Sequence, residues 1–375
     1  MGRFAGKTLL QVTPRLDSGG VERATVDIAA AFVREGGRSL VASAGGRLEV
    51  ELHEGGSTLV RLPLASKNPL VIWRNAARLA ALIRAEAVDI VHARSRAPAW
   101  SALWAARRTG VHFVTTYHGI YAGTGLKRAY NAVMAKGDVV IANSRFTRDH
   151  ILAVHRVDPD RVVTIDRGVD LRRLDEPSEP RLQVLRERWG ALEGTVFLLP
   201  ARLTPWKGHD LAIEAASRLT APYTLILAGE GKPGYAERLR RSAAPNVRLV
   251  GHVSDMAAAY TLADFVLAPS LDPEAFGRTV VEPQAMRRPV LAAAHGAPAD
   301  SVVDGVTGWL VAPGDVDAWT QALARACATP ASVRAQMGAA GRARAQAYYS
   351  VERMAAATLD VYARRLGLET TAQAL

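Results

Sequence analysis

The chain of 375 residues is 49% hydrophobic and 22% charged. That composition supplies apolar side chains for real cores, excludes a disordered chain and, at roughly 100–200 residues per domain, predicts two domains. The single cysteine, Cys327, excludes an internal disulfide and a cysteine-cluster metal site and fits a reducing, cytosolic setting, and the net charge of +11 is uneven: residues 1–180 hold 26 Lys/Arg against 18 Asp/Glu (+8), residues 181–375 hold 21 against 18 (+3).

The opening MGRFAGKTLLQVTP does not read as a signal peptide, because its apolar part is short and runs straight into a strand. No stretch approaches about 18 consecutive apolar residues, so no transmembrane helix is predicted. The first half predicts strands at TLLQVT, SLVASA, STLVRL, DIVHA, HFVTTY, DVVIANS and RVVTI, with helices over 20–35, 69–86, 98–109, 125–136 and 144–154. A charged stretch with two prolines, 170–190, then interrupts the pattern and reads as the connection or as a linker merging into the next helix. The second half predicts strands at TVFLLPAR, YTLILAGE, VRLVGH, FVLAPS, PVLAA and GWLV, with helices over 208–219, 233–243, 254–262, 278–287 and 315–327. The alanine-rich tail, 330–366, predicts two or three more helices.

Strand and helix alternating in this order imply an α/β chain with parallel sheets and right-handed crossovers. The pattern occurs twice, so the expected architecture is two Rossmann-like doubly wound domains facing each other, with ligands off the carboxyl ends of the strands. The expected boundaries are residues 1–170, a linker region at 171–190, a second domain at 191–350, and a final helix within 351–375 crossing back to the first domain. No Gly-x-Gly-x-x-Gly joins the first strand to its helix, which sets aside a dinucleotide dehydrogenase.

The densest chemical cluster is DPEAFGRTVVE, 272–282. Glu274 lies in the loop after the strand FVLAPS. The N–H groups around Phe276, Gly277 and Arg278 open a helix N-terminus suited to a phosphate. Glu282 falls about one turn into that helix, within reach of a ribose diol on the same ligand. A second cluster, PARLTPWKG, follows the strand TVFLLP and puts Arg202 and Lys207 at a carboxyl end. Two cations there can neutralise a diphosphate as negative charge builds on it. Surface glutamates at a helix start and an ordinary basic loop would have the same sequence; it is the two clusters together that are specific.

With these residues the chain resembles the retaining glycosyltransferases of family 4, which have the B-type glycosyltransferase fold. The family's Arg, Lys-Gly and Glu-x7-Glu signatures match Arg202, Lys207-Gly208 and Glu274 to Glu282 in order and spacing. LAGEG with Gly229, Glu230 and Gly231, Gly251 in VRLVGHVSD, Ala263-Asp264, and DGVTGWLV at 304–311 support the match. In the first half, SGGVER places Gly19 and Gly20 between a strand and a helix, where glycine lets backbone approach a ligand closely. TTYHG places His118 at a strand end, and VVIANS does the same for Asn143 and Ser144, the serine as much a helix cap as a ligand.

The resemblance implies catalytic roles for His118, Arg202, Lys207 and Glu274. It implies donor binding by Gly19, Gly20, Gly231, Val253, Phe276, Gly277, Arg278, Thr279 and Glu282. The first domain becomes the acceptor domain and the second the donor domain. The implied reaction moves a hexose from a UDP- or GDP-linked sugar with retention of configuration. No cofactor and no essential metal are expected, because Arg202, Lys207 and helix N-termini do the electrostatic work. The leaving diphosphate takes the acceptor's proton, and Glu274 positions sugar hydroxyls. The chain departs from the family at Arg287, where glycine is common five residues after Glu282, at Pro283, at Arg167-Gly168-Val169-Asp170, and at Gly296-Ala297.

The first half resembles bacterial enzymes that build lipopolysaccharide or other glycolipids, so a saccharide or glycolipid acceptor is expected. Arg94, Arg96, Arg107 and Arg108 interleave with Trp100 and Trp104, and Lys127, Arg128 and Lys136 lie beside Tyr130, Val133 and Met134. Such mixtures suit peripheral contact with an anionic membrane, on the cytoplasmic face of the inner membrane. Tryptophans four apart are equally the core face of a helix. Nucleic acid is not an expected partner, since no basic-aromatic motif of a known module is present. The rival functions are a sugar-nucleotide epimerase and a non-catalytic nucleotide-sugar binding protein.

Overall fold

In the computed structural model, which describes residues 2–17, 19–121 and 125–369, the chain divides into two units. Unit 1 takes the described residues up to Gly168 and those from Val351 onward; unit 2 is Val169–Ser350. The strands of unit 1 are β1 (Thr8–Val12), β2 (Arg38–Ser43), β3 (Thr58–Arg61), β4 (Ile90–Ala93), β5 (His112–Tyr117), β6 (Val139–Ala142) and β7 (Val162–Thr164). Its helices are α1 (Gly20–Arg34), α2 (Glu49–Glu54), α3 (Pro69–Ala85), α4 (Arg96–Thr109), α5 (Gly125–Asn131) and α6 (Arg145–Val154). The sheet is parallel throughout, in the order β3-β2-β1-β4-β5-β6-β7.

Neighbouring residues on a strand point to opposite faces, and here both faces are covered. Leu10, Val12, Val91, Ala93, Phe113 and Val140 pack under α3 and α4, whereas Leu9, Ile90, Val114 and Ile141 pack on the opposite face with α1. That is why each strand reads as an unbroken apolar run. Helix starts follow local chemistry. Asn68 accepts from Leu70 N (2.9 Å) ahead of Pro69 at α3, and Ser144 accepts from Thr147 N (3.0 Å) at α6, each cap contributing about 1 kcal/mol.

Unit 2 begins with α7 (Glu179–Trp189), then alternates β8 (Thr195–Pro200), α8 (His209–Ser217), β9 (Tyr223–Ala228), α9 (Pro233–Ser242), β10 (Val247–Gly251), α10 (Met256–Leu262), β11 (Phe265–Ala268), α11 (Arg278–Ala285), β12 (Val290–Ala293), α12 (Gly296–Ser301), β13 (Gly308–Val311), α13 (Val316–Cys327) and α14 (Ala331–Tyr348). Its parallel sheet runs β10-β9-β8-β11-β12-β13. Phe197, Leu199, Leu225 and Leu267 face α8 and α13; Val196, Leu198, Ile226 and Val266 face α7, α10 and α11. Residues 171–190, expected as a linker region, carry α7, and its Leu182, Leu185 and Trp189 are buried in the core of unit 2. The last helix, α15 (Val351–Arg365), belongs to unit 1, where Met354, Leu359 and Tyr362 pack with Phe4, Phe32 and Ile141. No helix among the described residues is long and apolar enough to cross a membrane.

Candidate functional site

Ligands of open parallel sheets bind beyond the carboxyl ends of the strands, where the strand order reverses. In unit 2 that point lies between β8 and β11. The residues after β8 make a 3-10 turn, Pro205–Lys207, closed by Gly208 in the left-handed region (φ +75°). A Cβ on Gly208 would overlap the carbonyl oxygen of Pro269, so only glycine lets this turn lie against the exit of β11. Leu271 N then donates to Trp206 O (2.7 Å) and ties the two loops together.

This packing brings Lys207 Nζ to 2.7 Å from Glu274 Oε1, with the two side chains 11% and 12% exposed. Ser270 Oγ donates to the same carboxylate oxygen at 2.5 Å, and the Trp206 ring lies 4.3 Å from Nζ. The Glu274 loop is pinned from its other side by the start of α12: Ala297 N donates to Glu274 O (2.9 Å). Gly296 (φ +65°) has no room for a Cβ, which would sit 2.7 Å from Glu274 N. Arg202, two residues past β8, is exposed, and its guanidinium has no ion-pair partner among the described residues. The arrangement holds one lysine and one carboxylate nearly dry and leaves an arginine open to solvent beside the same strand end.

Glu282 is 8% exposed and is not paired with Lys207. Tyr260 Oη donates to its Oε2 (3.0 Å), and Arg278, one turn back, donates to its Oε1 from Nε (2.8 Å). Burial, and then the charge of Glu282, raise the Tyr260 phenol well above its ordinary pKa, so it stays a proton donor. Arg278 Nη2 donates to the same Oε1, so it is Oε2 that keeps a lone pair for a hydroxyl. α11 starts at Arg278 with Gly277 (φ +83°) before it, as Pro283 requires near a helix start, though Pro283 still lacks the N–H of its sixth position. Arg287 stands at φ +57°, in the left-handed conformation that glycine adopts more cheaply. Thr279 is half-buried on α11, whereas Phe276 is a core residue, its ring 6.2 Å from Tyr349.

The loops after β8 and β9 run side by side, with Leu203 N donating to Glu230 O (2.9 Å). Gly229 and Gly231 lack the Cβ that would overlap the carbonyls of Ala201 and Leu203. Gly231, Glu230, Leu203 and Arg240 line an open cavity of about 710 Å³. Val253 is buried in the core. Asp255 caps α10 through Ala258 N (3.0 Å) and takes two bonds of 2.8 Å from Arg181, which hold its carboxyl below the ordinary range.

In unit 1 the strand order reverses between β1 and β4. Gly19 is the N-cap of α1, and Arg167 stacks its guanidinium where a Cβ of Gly20 would stand; Ser18 lies outside the described residues. His118 directly follows β5, and neither of its ring nitrogens has a hydrogen-bond partner among the described residues. Burial, then the charges of Arg94 and Arg167, push it well below its ordinary pKa, so the imidazole is neutral. Asn143 directly follows β6; it is 2% exposed and its side-chain amide is likewise unpartnered. Ser144 serves as the cap of α6.

Two of the arginines expected at a membrane, and the apolar residues interleaved with the basic ones, turn inward. Arg94 is 2% exposed, and Arg96 stacks on Tyr121 at 4.2 Å and donates to Asn131 Oδ1 (2.8 Å). Trp100 donates to Tyr130 O (3.1 Å), and Val133 and Met134 are fully buried. Helix packing, not interfacial chemistry, accounts for these apolar residues. Arg107, Arg108, Lys127, Arg128 and Lys136 do stay exposed. Sequence reasoning missed Tyr260 and Ser270, which carry no local signal, and the burial of Arg94, which had one: a charge directly after an apolar strand.

Two family models match, "Glycosyltransferase Family 4" over residues 18–173 and "Glycosyl transferases group 1" over residues 194–329. A D-inositol 3-phosphate glycosyltransferase of Mycolicibacterium paratuberculosis is 31% identical over 249 residues, covering 64% of this chain. The chain spans 55% of that relative's length. The crystal structure of a glycosyltransferase from Rickettsia africae superposes with a TM-score of 0.87 at 32% identity, over 96% of this chain and 98% of that one. Anabaena HepE, solved with UDP and glucose, shares the fold at a TM-score of 0.82 and 22% identity, over 96% of this chain and all of its own.

Proposed function

The chain belongs to glycosyltransferase family 4, with two parallel-sheet α/β domains of the B-type fold, and on that footing we propose that it is an enzyme moving a hexose from a nucleotide-diphosphate sugar to an acceptor hydroxyl. The observation that carries this reading is the nearly dry Lys207–Glu274 pair, 2.7 Å apart at the strand-order reversal, beside the open Arg202. An ammonium has three N–H groups, so Lys207 can hold Glu274 and still donate to a diphosphate. Arg202 and the N-terminus of α11 add positive potential where the leaving group gains charge. No metal is required for that neutralisation in this reading.

In the proposed reaction the bond from the anomeric carbon to the donor phosphate oxygen breaks as the bond to the acceptor oxygen forms. The acceptor's proton passes to the departing phosphate oxygen on the same face, so configuration is retained. Glu274 accepts from sugar hydroxyls, and Glu282 uses the remaining lone pair of Oε2 for the ribose. His118, neutral by burial, exchanges hydrogen bonds with the sugar. The acceptor is taken as a saccharide of a lipopolysaccharide core or other glycolipid. Exposed Leu70 and Trp73 beside Lys67 and Arg74 support peripheral contact with an anionic membrane.

The test is thermal stabilisation against a panel of sugar nucleotides, since a ligand that binds only the folded state raises its stability. The true donor raises Tm, and Lys207→Ala or Glu282→Ala abolishes the shift. Donor binding that ignores both substitutions would sink the assignment. Formation of a changed sugar nucleotide without acceptor would mean an epimerase instead.

A further inference from the structure

A cavity of about 410 Å³ opens at the carboxyl ends of β1, β2 and β3 in unit 1, within the size range of small-molecule sites. Its polar lining comes from all three strand ends: Arg15 and Asp17 after β1, Glu49 after β2, Arg61 closing β3 and Ser66 beyond it. Backbone bonds lock these loops together. Leu16 N donates to Gly45 O (2.9 Å), Leu48 N to Leu16 O (2.8 Å) and Leu62 N to Ser43 O (2.9 Å). Gly45 (φ +90°) lies against the Arg61–Glu49 ion pair, and a Cβ there would overlap both side chains. The walls are therefore fixed by packing before any ligand arrives.

Among the described residues that line the cavity the charges cancel, Arg15 and Arg61 against Asp17 and Glu49. Gly46 N donates to Glu49 Oε1 (2.6 Å) and Arg61 donates to Oε2, so each oxygen keeps a lone pair. The Gly46 bond, then Arg61, hold this carboxyl below its ordinary pKa, and it is ionised at neutral pH. Asp17 meets Arg15 only at 4.0 Å, beyond hydrogen-bond length, so its oxygens stay open among the described residues. Ser66 Oγ accepts from Asn68 N (3.2 Å) and keeps its O–H to donate. Acceptors and donors interleaved in this way match sugar hydroxyls, each of which donates once and also accepts. A carboxylate after the second strand is also where doubly wound folds hold a ribose diol. A charged ligand fits worse: an anion meets Asp17 and Glu49, and a cation meets Arg15 and Arg61.

Strand order sets the distance to the chemistry. β2, at the middle of the cavity, stands three strand spacings from β5, about 14 Å at roughly 4.8 Å each. His118 follows β5. One hexose ring does not span that separation. We propose that the cavity lined by Asp17, Glu49, Arg61 and Ser66 holds an uncharged sugar ring of the acceptor, distal to the ring that receives the hexose. The inference rests on the transferase reading, in which His118 marks the reacting end. The acceptor class is then an oligosaccharide of at least two units, neutral at the ring seated here.

Saturation-transfer NMR on the full chain reads the binding of methyl α-glucoside, methyl α-galactoside and methyl α-mannoside, with glucuronate and glucosamine as charged counterparts. UDP and GDP are titrated in parallel by thermal shift. At least one neutral glycoside should bind, and both charged sugars should bind at least about tenfold more weakly. Glu49→Gln, which still offers an acceptor to Gly46 N, and Arg61→Gln should each weaken the neutral sugar about tenfold, the loss of one charge-assisted contact. Ala44→Trp, at an exposed lining residue, fills the cavity and should abolish sugar binding with Tm unchanged. All three should leave nucleotide affinity within about twofold. A neutral-sugar signal that survives Glu49→Gln and Ala44→Trp, equal binding of glucuronate, or a wild type silent toward all three glycosides overturns the subsite. A bound glycoside that is itself glycosylated, with a KM raised by Glu49→Gln, makes this the reacting ring and overturns the distal assignment. Sugar binding through Glu49 by a chain that ignores every nucleotide upholds the cavity as a sugar site and overturns the transferase reading. Nucleotide binding without sugar binding does the reverse.

Discussion

Replacing Lys207 by methionine tests the central ion pair. The side chain keeps its length and loses its charge, so Glu274 is left as a buried carboxylate with only Ser270 donating to it. Breaking a fully buried pair from one side costs about 3–5 kcal/mol. Here each partner keeps slightly more than a tenth of its exposure and Ser270 remains, so unit 2 should lose about 2–3 kcal/mol. Adding Glu274→Gln removes the stranded charge, so the double variant should be more stable than Lys207→Met alone, with a coupling of about 1–2 kcal/mol. Urea unfolding followed by hydrogen exchange in peptides from α8 and α11 isolates unit 2, because two units need not unfold together. Nucleotide affinity in Lys207→Met should fall about 10- to 100-fold. The reasoning is refuted if the two single-variant costs simply add, or if Lys207→Met unfolds like the wild type and binds nucleotide unchanged.

Three further outcomes follow from the geometry. Tyr260→Phe strips one buried donor from Glu282 and should cost about 1–2 kcal/mol while weakening nucleotide binding severalfold, both read by thermal shift with and without ligand. Arg287→Gly, at an exposed residue with φ +57°, should raise the stability of unit 2 by about 0.5–1 kcal/mol; a lower urea midpoint would contradict the left-handed assignment. Burial holds His209 at about 4 against an ordinary 6.5, so the unfolded chain takes up its proton first as pH falls. His209 therefore contributes stability that is present above about 6.5 and is lost as pH falls towards about 4, at up to about 1.4 kcal/mol per pH unit. Hydrogen exchange in α8 should show that slope in the wild type and a shallower one in His209→Gln.

The thirteen strands among the described residues were legible because strands buried on both faces are unbroken β-branched and apolar runs, such as Thr195–Pro200 and Tyr223–Ala228. Long helices were legible from their periodicity and caps. Two short helices were not: α2 is EVELHE, with only Leu52 buried, and α12 is GAPADS, whose glycine and proline read as a turn. Their helical state comes from what they pack on, as α12 does on the Glu274 loop. Arg287 stands where the family commonly has glycine, and its φ of +57° is the left-handed conformation that glycine adopts more cheaply.

The chain by itself determined the α/β class, the twofold alternation and the chemical type of the residues at strand ends, because hydrophobic period and turn chemistry are local properties. The partners of those residues were decided only when sheet order placed distant strand ends side by side. Lys207 and Glu274 lie 67 positions apart along the chain, and β8 pairing with β11 is what makes them touch. The same holds for Arg94 and His118: their desolvation comes from burial in the folded unit, where sheet order sets β4 beside β5, and no local pattern encodes it.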